Sequence, residues 1–288
     1  SGITDTGISY GTATAPYLPS DIYTDDGGED HVFWIREYGN RGFYSYDLGT
    51  TIHPIVPDEI AYGGGESAIL DVNEAGVAVG FTSFQVTQAY LDIIEDESGG
   101  CADTDIVPDE MTLEACIQQT LIQSSTSAYH KVAFKATLVP GGSPVIEQLG
   151  LLVEPHDDDE RPHSSYALAV NSTGVAVGYA DGWDDETETN PSDDENSQYE
   201  YAVVYKGGEV IDLTGDHSNK ASSRAYDIND AGIAVGHVFK IIDDEIVQKF
   251  FYVDTTVDKE ELEIIHPDDF FSDSDSTARA INNNGFIV

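Results

Sequence analysis

Ala225-Tyr226-Asp227-Ile228-Asn229-Asp230-Ala231-Gly232-Ile233-Ala234-Val235-Gly236 is the stretch on which the fold turns. An alternating strand ends on Ile228, Asn229 is placed to accept hydrogen bonds from a turn, and Gly232 supplies a positive φ three residues later. A second alternating strand leaves the turn, so the stretch reads as a tight β-hairpin and not as a helix. The same pattern recurs, with the same internal spacing, at Ile69 to Gly80, Ala167 to Gly178 and Ala278 to Val288, and in degenerate form at Ile3 to Gly11. Asn73 and Gly76, Asn171 and Gly174, Asn229 and Gly232, and Asn282 and Gly285 are therefore read as structural turn residues. A ring of ligand-binding amides is the competing reading of the four asparagines, but each already sits where the turn itself needs it. Ala or Asp two residues before each Asn keeps one face small where strands crowd.

Between copies lies a second unit, an aromatic strand followed by a strand that ends near Leu-Gly or Leu-Thr. Its instances are His31-Val32-Phe33-Trp34-Ile35 leading to Asp47-Leu48-Gly49, and Val132-Ala133-Phe134 leading to Gln148-Leu149-Gly150. Tyr201 to Tyr205 leads likewise to Asp212-Leu213-Thr214, and Phe250 to Val253 to Glu263-Ile264-Ile265. Two strands plus two strands make a four-stranded module. The chain divides as a single repeat domain into modules at about 1–65, 66–163, 164–221 and 222–276, with a partial fifth at 277–288. Insertions at about 84–129 and 181–198 stretch the longer modules, and the first carries one small helical stretch from Asp109 to about Gln123.

Such modules cannot each bury both faces alone, so the expected fold is all-β, a β-propeller-like array. An open β-solenoid or stacked-sheet repeat is the alternative. The chain stops inside the fifth copy, which suits either a piece of a longer chain or terminal strands that complete one blade together.

Fifty-four Asp plus Glu against twelve Lys plus Arg give a net charge of −42, while 40% of the 288 residues stay hydrophobic. That hydrophobic share argues for a packed core over a disordered acidic chain. A surface this negative repels phosphate backbones, so no nucleic-acid partner is expected. No apolar run of about 20 residues exists, so no transmembrane segment is expected either. Cys101 and Cys116 lie in one polar segment, where they suit a local disulfide that clips the first insertion, with two free thiols as the alternative. A disulfide implies an oxidising, extracytoplasmic setting, and the acid excess fits a secreted protein in saline water.

The pattern Ala-x-x-Ile-Asn-x-x-Gly-x-x-Val-Gly, followed by an aromatic strand and an Asp-Leu-Gly-like ending, resembles the HAF-repeat extracellular proteins of bacteria. It also resembles a related secreted family of unknown function in Gram-negative bacteria. The resemblance covers nearly the whole chain outside the insertions and implies an extracellular or cell-surface location. The His-Ala-Phe signature survives only as His31-Val32-Phe33. No catalytic residue is carried over from it.

Acidic clusters are the candidate chemical sites: Asp25 to Asp30, Asp157 to Glu160, Asp268 and Asp269 with Asp273 and Asp275, and the loop around Trp183. Calcium takes six to eight oxygen ligands from flexible loops. Asp184, Asp185, Glu186, Asp193, Asp194 and Glu195 are the preferred metal ligands, because Gly182, Asn190 and Pro191 let that loop fold back on an ion. Solvated acidic loops are the plainer reading of each cluster. No organic cofactor is implied. The expected function is a secreted or cell-surface binding, adhesive or assembly module, calcium-dependent and self-associating, whose partner is itself or an extracellular glycan or protein. The alternative is an extracellular carbohydrate-active enzyme that uses loop carboxylates on a propeller face. Tyr23, Trp183 and Tyr199 are the loop aromatics placed to stack on a saccharide.

Overall fold

The computed structural model describes residues 1–154, 161–183, 198–215, 221–242, 245–267 and 274–288. Each repeat hairpin folds as its sequence dictates. Asn171 accepts from the backbone N–H groups of Thr173 and Val175 through its side-chain oxygen, each at 3.1 Å. Its own N–H donates to Val175 O and its carbonyl accepts from Gly174 N, closing the turn. Gly174 holds φ at +82°, the left-handed region that a side chain resists.

Four antiparallel sheets follow one another along the chain, each pairing its strands in chain order, with the short strands of two minor sheets intervening within the first. The first sheet joins Gly2–Ile3, Ser9–Ala13, Arg41–Ser45 and His53–Ile55. The second joins Ser67–Val72, Val77–Val86, Tyr129–Thr137 and Val145–Gly150. Ser165–Val170, Ala176–Trp183, Gln198–Lys206 and Glu209–Asp212 form the third, and Ser223–Ile228, Ile233–Ile242 and Glu245–Asp254 the fourth.

The sheets stack face on face. Ile8, Tyr44 and Ile55 of the first pack against Ile69, Ala78 and Phe134 of the second. Val79 and Ala133, on the opposite face of the second sheet, meet Ala167, Ala176 and Val203 of the third. Val177, Ala202 and Val204 then meet Ala225, Phe251 and Val253 of the fourth. Neighbours along a strand thus serve opposite cores, which explains apolar runs such as Val203-Val204 and the small residues between them. The described sheets do not close on themselves.

Three expectations need correction. His31 to Ile35 is not the third strand of the first module. It is split between two minor two-stranded sheets, with Val32 at 47% and Trp34 at 62% exposure, and Arg41–Ser45 takes its place. The alternating aromatics are present in both stretches, and only Gly42, Tyr44 and their neighbours find strands of the main sheet to pair with. Glu263 to Ile265 forms no strand; a single bridge joins Ile265 to Tyr252, leaving the fourth sheet three-stranded.

The first insertion holds two helices where one was expected. They are α1 (Gln88–Ile94) and α2 (Leu113–Gln123), and the second begins at Leu113, not Asp109. The threonine before each helix sets its start. Thr87 accepts from Tyr90 N and Thr112 from Ala115 N, the N-cap arrangement. Cys101 and Cys116 are disulfide-bonded and sit in a satellite core with Tyr90, Ile94 and Tyr129. Because that core is separate from the sheet seams, reduction is expected to leave the sheet circular dichroism intact and to speed proteolysis within 95–112; limited proteolysis with and without reductant reads this directly.

Candidate functional site

The repeat asparagines do more than cap turns. Asn73 Nδ2 donates to Asn171 O at 2.9 Å, Asn171 Nδ2 to Asn229 O and Asn229 Nδ2 to Asn282 O, both at 3.3 Å. The amides that could have formed a ligand ring are therefore spent on joining one hairpin to the next. Asp71 and Asp227, read as small spacers, also reach across: each carboxylate accepts a backbone N–H of the following copy, from Val170 and Ile281.

A second joint went unread in the sequence. A serine six residues before each Asn enters the preceding sheet. Ser165 Oγ accepts from Ala133 N at 2.8 Å and donates to Gly150 O at 2.7 Å. Ser67 does the same between Gly42 N and Ile55 O. Ser223 and Ser276 accept from Ala202 N and Phe250 N. The period itself was the available signal, since Ser67, Ser165, Ser223 and Ser276 share one offset.

At the far end of the strands from the Asn turns lies a seam of ionisable groups. Lys131 pairs with Glu66 at 2.7 Å and lies over Phe81, which meets Tyr166 edge-on. Tyr166 stacks on Tyr179, and Arg224 covers Tyr179 while pairing with Glu200. Asp181 stands directly opposite Glu200 across two paired strands and accepts from Ser164 N at 2.8 Å. Burial pushes the Asp181 carboxyl up to about 7, and the Glu200 charge adds to it, against the opposing pull of the Ser164 N–H and Arg224.

That shift makes a pH prediction. A carboxyl raised above its ordinary 3.8 contributes stability fully present below about 3.8 and lost as pH rises through about 7. Asp181→Asn keeps the acceptor for Ser164 and removes the charge. The variant is expected to exceed the wild type by on the order of 1–2 kcal/mol at pH 8 and to match it near pH 4, read by thermal melts across pH.

The insertions share one place in the strand order. In each of the first three sheets the link between the second and third strands is the expanded one, at 14–40, 87–128 and 184–197. The first two meet: Arg36 N donates to Gln118 Oε1 at 3.1 Å and Asp26 N to Asp109 O at 3.3 Å. Their acidic loops abut, and the Asp109 carboxyl is pushed up by desolvation and by Asp26 and Asp105. Leu18, Ile22 and Trp34 stand 62%, 69% and 62% exposed on this surface.

The preferred metal ligands Asp184, Asp185, Glu186, Asp193, Asp194 and Glu195 lie outside the described residues, as do Asp157 to Glu160, Asp268, Asp269 and Asp273. Among the described residues no three His, Cys, Asp or Glu side chains converge as a metal site. Trp183 is not a surface stacking platform. It is 9% exposed, under Arg161 and against His163, at the base of a cleft of about 670 Å³ that Leu152, Val210, Leu213 and Ile264 also line. Tyr23 is half-buried beside Phe33. Trp34, assigned to a core strand, is exposed instead.

A family model described as a protein of unknown function (DUF3466) matches residues 1–288. No curated protein matches the chain.

Proposed function

We propose that this chain, which belongs to the DUF3466 family, is an extracellular binding or assembly module of β-propeller-like build that works through its insertion face. The carrying observation is that the first three sheets expand the same connection, while the Asn and Ser joints tie each repeat to the next. Loops on a rigid scaffold are where binding concentrates. The disulfide and the likeness of the motif to HAF repeats support a secreted setting. Calcium, bridging the acidic loops, and a second copy or a glycan are the proposed partners.

Light scattering in about seawater salt, with millimolar calcium and then EDTA, tests this on wild type and Trp34→Asp. Assemblies that collapse in EDTA and fail to form in the variant identify an assembly module. A monomer that captures glycans on an array, with capture lost in Trp34→Asp, identifies a lectin-like module. A monomer that captures nothing overturns the reading.

One observation favours the enzymatic alternative: Asp181 and Glu200 are a carboxyl pair whose environments differ. Asp181 lines none of the clefts at Trp183, Ile35, Leu18 or Tyr38. A hydrolase turnover abolished in Asp181→Asn would reverse the order of the two readings.

A further inference from the structure

We propose that the outer strand of the second sheet, Val145–Gly150, is a self-association edge, on which a second copy lays the same strand antiparallel about a two-fold axis and joins two four-stranded sheets into one of eight. The strand lies outside the links 14–40, 87–128 and 184–197, so this inference goes beyond the insertion-face reading and does not depend on it.

A strand at the end of a sheet leaves one row of N–H and C=O groups unpaired, and folded chains blunt such rows with short strands, proline, charge or a covering segment. Three of the four outer edges are blunted in these ways. His53–Ile55 is three residues long and contains Pro54. Glu209–Asp212 is four residues long and has an acid at each end. Glu245–Asp254 is longer, but its outer row is covered. Tyr252 exchanges two backbone bonds with Ile265, Gln248 bonds to Ser276 and Asp275, and Phe250 N donates to Ser276 Oγ.

Val145–Gly150 lacks these devices. It runs six residues without proline, and its one charge, Glu147, is paired with Lys135 at 3.2 Å. All its strand partners lie in Tyr129–Thr137. Beyond that strand, among the described residues, only Ser165 Oγ reaches its backbone, at Gly150 O, and nothing bonds to the far side of the backbone from Val145 to Leu149. Val145 and Ile146 stand 69% and 38% exposed. Consecutive residues face opposite sides of a strand, so this edge is apolar on both faces where it meets water.

What a second copy offers points to self-pairing. The inner edge strands Ser67–Val72, Ser165–Val170 and Ser223–Ile228 pack against neighbouring sheets, and Gly2–Ile3 is two residues long. Among the described residues, the one open edge of matching length on a second copy is therefore the same strand. An antiparallel edge is complementary to itself under a two-fold rotation. Charge agrees with this choice. The net charge of −42 keeps copies apart over most of the surface, whereas Tyr129 to Gly150, the last two strands of this sheet, carries two lysines and one glutamate. Six residues a side fall short of the about 20–30 of a standard interface, so the dimer is expected to be reversible, half-associated between about 10 µM and 1 mM.

Sedimentation velocity on the full chain from about 5 µM to 1 mM, in about 0.5 M sodium chloride with EDTA, reads the association with repulsion screened and calcium excluded. Hydrogen exchange by mass spectrometry on a peptide covering 145–150 reads the strand itself. The wild type is expected to pass from monomer to dimer, with exchange of that peptide slowed at least about threefold at the high end. Val145→Lys, at an exposed position outside the sheet cores, is expected to stay monomeric throughout with an unchanged melting temperature. A wild type that stays monomeric would overturn the self-pairing and leave a strand of another protein as the occupant of the edge. A dimer that survives Val145→Lys, or that leaves exchange at 145–150 unchanged, would overturn it as well. A dimer lost in Val145→Lys and kept in Trp34→Asp upholds the edge and takes self-assembly away from the insertion face. The opposite pattern strikes the edge alone and leaves the insertion face standing.

Discussion

Gly178→Ala is expected to destabilise the protein by at least about 3 kcal/mol, roughly 10 °C in melting temperature by calorimetry. Gly178 lies in the second strand of the third sheet, beside the register shift between Ala167 and Ala169. A Cβ there would stand 1.8 Å from Tyr166 O and 2.9 Å from its carbon. The obstacle is backbone, and the third sheet is packed on both faces, so neither strand has room to retreat. Gly174 provides the comparison within the same hairpin. Its φ of +82° makes alanine strained, but nothing lies within 4 Å, so Gly174→Ala is expected to cost about 1–2 kcal/mol. Equal costs for the two variants would refute the close approach of Gly178 to the Tyr166 carbonyl.

Ser165→Ala is the second large effect. The hydroxyl is fully buried and serves two backbone groups of the second sheet at once, Ala133 N and Gly150 O. Alanine fits the space and strands both partners without water. Loss of one buried partner costs about 1–3 kcal/mol, so a total of about 2–4 kcal/mol is expected in denaturant unfolding. Ser165→Thr, which keeps the hydroxyl but adds a methyl to a filled site, is expected to recover part of it. An alanine variant as stable as the wild type would mean that the sheets are held by their apolar seams alone.

What could be read in the sequence was what is local. The Asn and Gly turns were legible because capping and positive φ are demands made within five residues. The insertions were legible because their composition breaks the repeat. His31 to Ile35 was misplaced because an alternating aromatic stretch is a strand only if another strand accepts it, and Arg41–Ser45 alternates as well. The serine joints were overlooked because their partners lie 12 to 32 residues away, at spacings that the insertions scramble. The same holds for the site. Arg41 and Gln118 are ordinary polar letters in the chain, and only the tertiary fold buries them. The acidic loops stood out by composition, yet composition carries no information on whether carboxylates converge.

The Asn-to-Asn hydrogen bonds give the array a polarity of construction. Asn171 and Asn229 each offer one amide forward and one carbonyl backward, so an interior copy is both plug and socket of the same gauge. The serine joints repeat that standard one strand earlier. Parts that share a coupling are interchangeable, and a duplicated module inherits its connectors ready-made. Growth by duplication then needs no new interface, and the loops at the opposite end are free to diverge without renegotiating the frame that carries them.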